Sequence, residues 1–234
     1  MYKRILLKLS GEALAGDSGF GVDLGRVNYY AAEVGKVKKE GCDVAIVVGG
    51  GNIWRAGTQD HSHMDQPQSH FMGMLATVIN TLALQDALEQ IGLPTRAMTA
   101  IRMENVAEPY IRRRAIRHLE KGRVVVLGGG TGNPFFTTDS AAALRAAEVH
   151  AEILVMAKNG VDGVYSADPK SDPSAEFLSK ITYEEALTKN LRFMDATAIA
   201  FARERSMPIR VFSMDTPDAL LKLVRGKSLG SYIA

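Results

Sequence analysis

A single cysteine, Cys42, stands in 234 residues, so no disulfide can close within the chain, and a reducing compartment is the expected setting. It sits at the mouth of an apolar run, which reads as inert packing rather than a reactive thiol. Net charge is equally scarce. Lys and Arg number 28 against 26 Asp and Glu, which gives no reason to expect nucleic acid or an acidic membrane as partner. The apolar stretch near the N-terminus, residues 5–9, is too short for a signal segment or a membrane span. A cytoplasmic protein is the economical expectation. Heptads, low-complexity tracts and long internal repeats are also missing. So are G-x-x-x-x-G-K-[ST] and any G-x-G-x-x-G following a strand, which excludes the P-loop and leaves a Rossmann dinucleotide site unsupported.

What is present is an ordinary globular composition, 46% apolar and 23% charged, enough to bury a sizeable core and expected to form one domain over 1–234. Strand and helix patterns alternate throughout. Apolar runs at 5–9, 43–48, 95–101, 124–127, 153–157 and 209–212 read as strands. Helical spacing marks 27–39, 71–91, 108–121, 140–147, 182–189, 195–206 and 217–224. Thr182 with Glu185 forms a capping box, and Asp195 is a candidate cap. This order predicts an α/β fold, a three-layer α/β/α sandwich with a mostly parallel central sheet. The 71–91 helix is apolar around most of its circumference, so another subunit is expected on part of it. The Arg112, Arg113 and Arg114 run reads as a solvated or subunit-facing surface.

The chemistry is concentrated where strands empty into glycines. Residues 128–139 place four glycines in five positions, then Thr131, Asn133, Pro134, Phe135, Phe136, Thr137, Thr138 and Asp139, ahead of a helix. Such a turn offers bare backbone N–H groups and the positive end of a helix dipole to an anion. Asp139 could cap that helix or orient a cation. Two further turns repeat the device. Lys8 ends a strand before Ser10 and Gly11, where burial is costly unless it meets an anion. Gly49, Gly50 and Gly51 lead to Arg55, a candidate clamp for phosphate. Together they make a polyphosphate cradle suited to moving a phosphoryl group between two bound molecules. His61, His63 and His70, near Asp60 and Asp65, lie in a polar stretch expected to be irregular over 56–69. Loop histidines without a fixed frame do not predict a metal site.

Five motifs give a resemblance: Lys8-Leu-Ser-Gly-Glu-Ala13, Gly49-Gly-Gly-Asn-Ile-Trp-Arg55, Met72-Gly-Met-Leu-Ala-Thr-Val-Ile-Asn80, Thr131-Gly-Asn-Pro-Phe-Phe-Thr-Thr-Asp139 and Val161-Asp-Gly-Val-Tyr-Ser-Ala-Asp-Pro169. The chain resembles the bacterial uridylate (UMP) kinases of the amino acid kinase superfamily. The resemblance implies ATP and UMP as substrates, Mg²⁺ with ATP, a homohexamer, and GTP and UTP as effectors. It implies that Lys8, Leu9, Ser10, Gly11, Gly51, Arg55, Asn159, Tyr165 and Asp168 meet ATP. UMP would fall to Gly50, His70, Thr131, Gly132, Asn133, Pro134, Phe135, Phe136, Thr137 and Thr138. Lys8, Arg55 and Asp139 would carry catalysis, Asp139 by orienting Lys8 or the metal. Gly16, Asp17, Ser18, Gly19, Phe20 and Gly21 match the loop tied to the GTP response. His70 stands where the family usually has an aspartate, and Lys158 competes with Arg55 as the second catalytic cation. A carbamate or carboxylate kinase of the same superfamily and a nucleotide-binding regulator without turnover are the alternatives. The 131–139 run argues against the first and the retained Lys8, Arg55 and Asp139 against the second.

Overall fold

The computed structural model describes residues 1–55 and 63–234. Strand β1 (Arg4–Leu9) leads through two 3-10 turns to helix α1 (Leu24–Lys39), then to β2 (Asp43–Val48) and the long α2 (Gln66–Gln90). There follow β3 (Thr95–Thr99), β4 (Glu108–Pro109), α3 (Arg112–Glu120), β5 (Val124–Gly128), α4 (Thr138–Glu148) and β6 (Ile153–Lys158). A small hairpin, β7 (Val164–Tyr165) and β8 (Phe177–Leu178), precedes β9 (Lys180–Ile181), α5 (Tyr183–Thr188) and α6 (Ala196–Glu204). The chain then adds β10 (Ile209–Ser213), α7 (Ala219–Val224) and β11 (Ser231–Ile233).

The main sheet runs β4-β3-β5-β2-β1-β6-β10-β11-β9. Its pairs are parallel apart from β10 with β11. Strands buried on both faces read as continuous apolar runs, yet their side chains still alternate. In β1, Ile5, Leu7 and Leu9 enter the core shared with α1, α2 and α7, while Leu6 faces the core shared with α3, α4, α5 and α6. Lys8 follows Leu6 by two residues and so emerges on the α4 side. In β6, Leu154 and Met156 share that side, which brings Lys158 out on the same side as Lys8. After β1 the chain builds β2 on one flank, and β6 later joins the other. The carboxyl end of β1 is therefore a switch point, where open α/β sheets form their ligand crevices.

The expected α/β/α sandwich is the observed architecture, with differences at element ends. Helix α1 begins at Leu24 because the Asp23 side chain accepts from the N–H of Arg26. Helix α2 begins at Gln66, inside the stretch expected to be irregular, because Asp65 caps it through the N–H of Gln68 and Pro67 occupies the first turn. Residues 108–121 are not one helix. Glu108–Pro109 pairs with β3 as an edge strand, where proline's missing donor is harmless, and the helix waits until Arg112. Strands β9 and β11, two and three residues long, are too short to show a period. Cys42 is fully buried, and burial pushes its thiol up to about 12, as inert packing requires.

Helix α2 meets the length and composition of a membrane-crossing segment, but half of its most apolar window is buried within the chain. It packs on α1, β5 and β3. Its remaining apolar face is a stripe at four-residue spacing, Phe71, Leu75 and Ile79, exposed by 38%, 46% and 50%.

Candidate active site

A cavity of about 400 Å³ opens at the carboxyl end of β1. All three glycine turns reach it. Lys8, Ser10 and Gly11 come from the first, Gly49, Gly50, Gly51 and Arg55 from the second, and Gly130, Phe136, Thr137, Thr138 and Asp139 from the third. The first two turns lie against one another, and the second against α2, at distances that leave no room for side chains. A Cβ on Gly11 would stand 2.5 Å from the nitrogen of Gly51, and one on Gly50 would stand 2.8 Å from the carbonyl oxygen of Gly73 in α2. Close backbone approach is the reason for glycine here.

Lys8 is 8% exposed, and its ammonium lies 2.9 Å from Asp139 Oδ1. Asp139 therefore does not cap α4. Thr137 does, its hydroxyl accepting from the N–H groups of Asp139 and Ser140 at 3.1 and 3.3 Å. The capping side chain is fixed in turn by Asp195, which accepts from Thr137 and Ser140 and itself caps α6. Relieved of capping, Asp139 turns its carboxylate toward β1. The α4 N-terminus thus meets the cavity with its dipole positive end.

Burial and, next, the ammonium of Lys8 hold the Lys158 ammonium below the ordinary lysine value of 10.5, with Asp139 and Glu12 pulling back. These causes group Lys158 with Lys8 and Asp139. Arg55 instead pairs with Glu12 at the mouth. Both partners are largely exposed, so the pair is weakly held and an entering anion can compete for the guanidinium. Glu12 lay within the first motif but had no role assigned to it. Its partner is 43 residues away and meets it only in the folded chain, so the sequence carries no signal for the pair.

His70 lines the cavity and packs against Phe135, ring centroids 5.1 Å apart. Phe135 is held at φ 70°, a strained setting for a bulky side chain and one that clusters at ligand sites. Thr131, Gly132, Asn133, Pro134 and Phe135 are not among the cavity's lining. Thr131 closes its own turn with Asn133, donating to the carbonyl and accepting from the N–H, and Gly132 donates to the carbonyl of Gly129. The side chain of Leu9 is buried in the α1 core, and its carbonyl accepts from Gly49.

Tyr165 and Asp168 line a second cavity of about 510 Å³ together with Lys158 and the 189–193 segment. Asn159 lines neither; its Oδ1 accepts from Tyr30. In the 16–21 loop, Gly16–Ser18 forms a 3-10 turn, the hydroxyl of Ser18 donates to the carbonyls of Ala15 and Phe20, and Gly21 donates to the carbonyl of Asn52. Asp17, Gly19 and Phe20 are exposed. Of the histidine group, Asp60 and His61 lie outside the described residues, and His63 is exposed. No group of three or more His, Cys, Asp or Glu suited to a metal occurs among the described residues.

The amino acid kinase family profile matches residues 3–213. The chain belongs to the amino acid kinase family. Among solved structures in this family, the UMP kinase of Bacillus anthracis is 39% identical over 99% of this chain and 96% of its own, with a TM-score of 0.95. The UMP kinase of Ureaplasma parvum is also 39% identical, over 100% of this chain and 99% of its own, TM-score 0.92. The uridylate kinase of Archaeoglobus fulgidus is 28% identical over the whole of both chains, TM-score 0.76.

Proposed function

We propose that the chain transfers the γ-phosphoryl group of ATP to UMP, a step of pyrimidine nucleotide synthesis. The observation that carries this reading is the ion pair of Lys8 with Asp139 at 2.9 Å, set where three backbone-lined turns share one cavity. A phosphate oxygen of UMP attacks the γ-phosphorus, the bond to the β–γ bridging oxygen breaks, and ADP leaves. Such a transfer asks for alignment and neutralised charge rather than a covalent nucleophile. Lys8, aimed by Asp139, stabilises the group in flight. Arg55 gives up Glu12 for the ATP phosphates, and Lys158 is the second cation on the buried side. Gly50, His70, Phe136, Thr137 and Thr138 take UMP, with the 131–135 segment shaping the rim. Tyr165 and Asp168 in the second cavity take the base and ribose of ATP, with Asn159 beside them.

The donor set fits Mg²⁺ brought in on the nucleotide. Asp139 and Glu12 are the carboxylates on the cavity wall, enough for an ion that keeps several waters and phosphate oxygens. Bound there, Mg²⁺ would offset charge on the ATP phosphates.

The exposed stripe on α2 supports a homo-oligomer, which we take to be a hexamer. GTP as activator through the 16–21 loop and UTP as inhibitor complete the reading, with the cytoplasm as the compartment. The deciding assay is ADP release across UMP, CMP, carbamate, aspartate and acetylglutamate, repeated with GTP and UTP. UMP should be the preferred acceptor. Turnover with carbamate or a carboxylate instead would move the chain to another branch of the family, and ATP and UMP binding without turnover would make it a regulator.

A further inference from the structure

We infer that Thr77 and Asn80 of α2 are positioning residues that set the separation of two of the three glycine turns, 49–51 and 128–132, and with it that of donor phosphates and acceptor. The inference rests on the phosphotransfer reading above. Residues 77 and 80 are one helical turn apart, on one face of α2. Thr77 serves the acceptor side. Its Oγ1 accepts from the N–H of Gly129 at 2.7 Å and donates to the carbonyl of Met74 at 2.6 Å. Asn80 serves the 49–51 turn, which carries Gly50 for the acceptor and Gly51, with Arg55 beyond it, for the donor. Its Nδ2 donates to the carbonyl of Gly49 and to Asn52 Oδ1, each at 2.7 Å. Asn52 answers with a bond to Asn80 Oδ1 at 3.1 Å and a second to the carbonyl of Gly21 at 2.6 Å.

Thr77, Asn80 and Asn52 are 4%, 0% and 1% exposed. An aliphatic face would pack α2 onto β5 as well, and buried polar groups are costly unless every partner is present. Here the partners include backbone atoms of both glycine turns. Thr81 provides the contrast. It is equally buried and its side chain lies against Gly128, but among the described residues its hydroxyl bonds no glycine turn and donates to the carbonyl of Thr77 in its own helix. Gly129 cannot escape the arrangement by taking a side chain, since its φ is +76° and a Cβ would stand 2.8 Å from Thr99 Oγ1.

The test is steady-state kinetics of the full chain carrying Thr77→Val, Thr77→Ser, Asn80→Ser or Thr81→Val, with thermal melts alongside. Leaving the Gly129 N–H unpaired should raise the KM for UMP about tenfold in Thr77→Val while the KM for ATP stays within about twofold. Thr77→Ser should restore it, Asn80→Ser should raise the KM for ATP and for UMP together, and Thr81→Val should match the unaltered chain in both constants. Unchanged constants in Thr77→Val, failure of serine to rescue, or an equal effect in Thr81→Val would overturn the inference. Turnover of UMP by the unaltered chain tests the functional reading separately. If it is absent, dissociation constants for UMP and ATP read the same variants. A chain that binds neither nucleotide overturns both.

Discussion

At the residue scale, Lys8 is held on the closed side of the sheet by one carboxylate, and this separates its structural role from its chemical one. Lys8→Met leaves Asp139 without its partner, which should cost about 3 kcal/mol of stability. Adding Asp139→Asn should recover most of that in a urea melt. Turnover should stay down by about a hundredfold or more in both variants while UMP still binds, because the ammonium that stabilises the moving group is gone. If turnover recovered together with stability, Lys8 would be merely structural. Thr138→Ala should raise the KM for UMP more than that for ATP, and the reverse order would exchange the assignments of the two turns. Lys8, Arg55 and the glycines were legible in the sequence because each is the wrong residue for a strand end unless an anion arrives. Glu12, Asn52, Thr77 and Asn80 were not, because their partners are backbone atoms or side chains brought together only by folding.

At the element scale, β6 delivers Lys158 beside Lys8, and the two ammonium groups disfavour each other. Between the lowered native value of Lys158 and the 10.5 of an ordinary lysine, the unfolded chain holds a proton that the folded chain has released. Stability therefore gains a contribution that grows with pH across that window. Lys158→Met should remove this contribution, seen as the difference between the two chains in urea midpoints taken from neutral to alkaline pH. Bound polyphosphate would favour the charged ammonium, so ATP binding in alkaline buffer should take up protons, and calorimetry in buffers of different ionisation enthalpy would read it. The core strands and the two predicted caps, Thr182 and Asp195, were visible in the sequence. The starts of α1 and α2 were set by aspartates outside the apolar periodicity, and Pro109 turned an expected helix start into a sheet edge.

At the scale of the whole molecule, the sheet supplies the floor of the site, and α2 packs on the sheet with its own apolar stripe, Phe71, Leu75 and Ile79, left exposed. Leu75→Glu with Ile79→Glu should dissociate the proposed homo-oligomer, measured by sedimentation at micromolar concentration, while each chain keeps its fold by circular dichroism. An unaltered chain that sediments as a monomer would remove the oligomer from the reading. The sandwich was legible because alternating strands and helices leave few ways to cover a parallel sheet. Subunit number was not, since an exposed stripe carries no count of copies. The two faces of α2 have a consequence for variation. One side is tied to backbone atoms that cannot change, and the other, in the proposed homo-oligomer, would meet a partner surface that changes only together with it. Substitutions should be poorly tolerated around the whole middle of this helix, whereas the exposed arginine face of α3, opposite its buried Ala115 and Leu119, should drift freely.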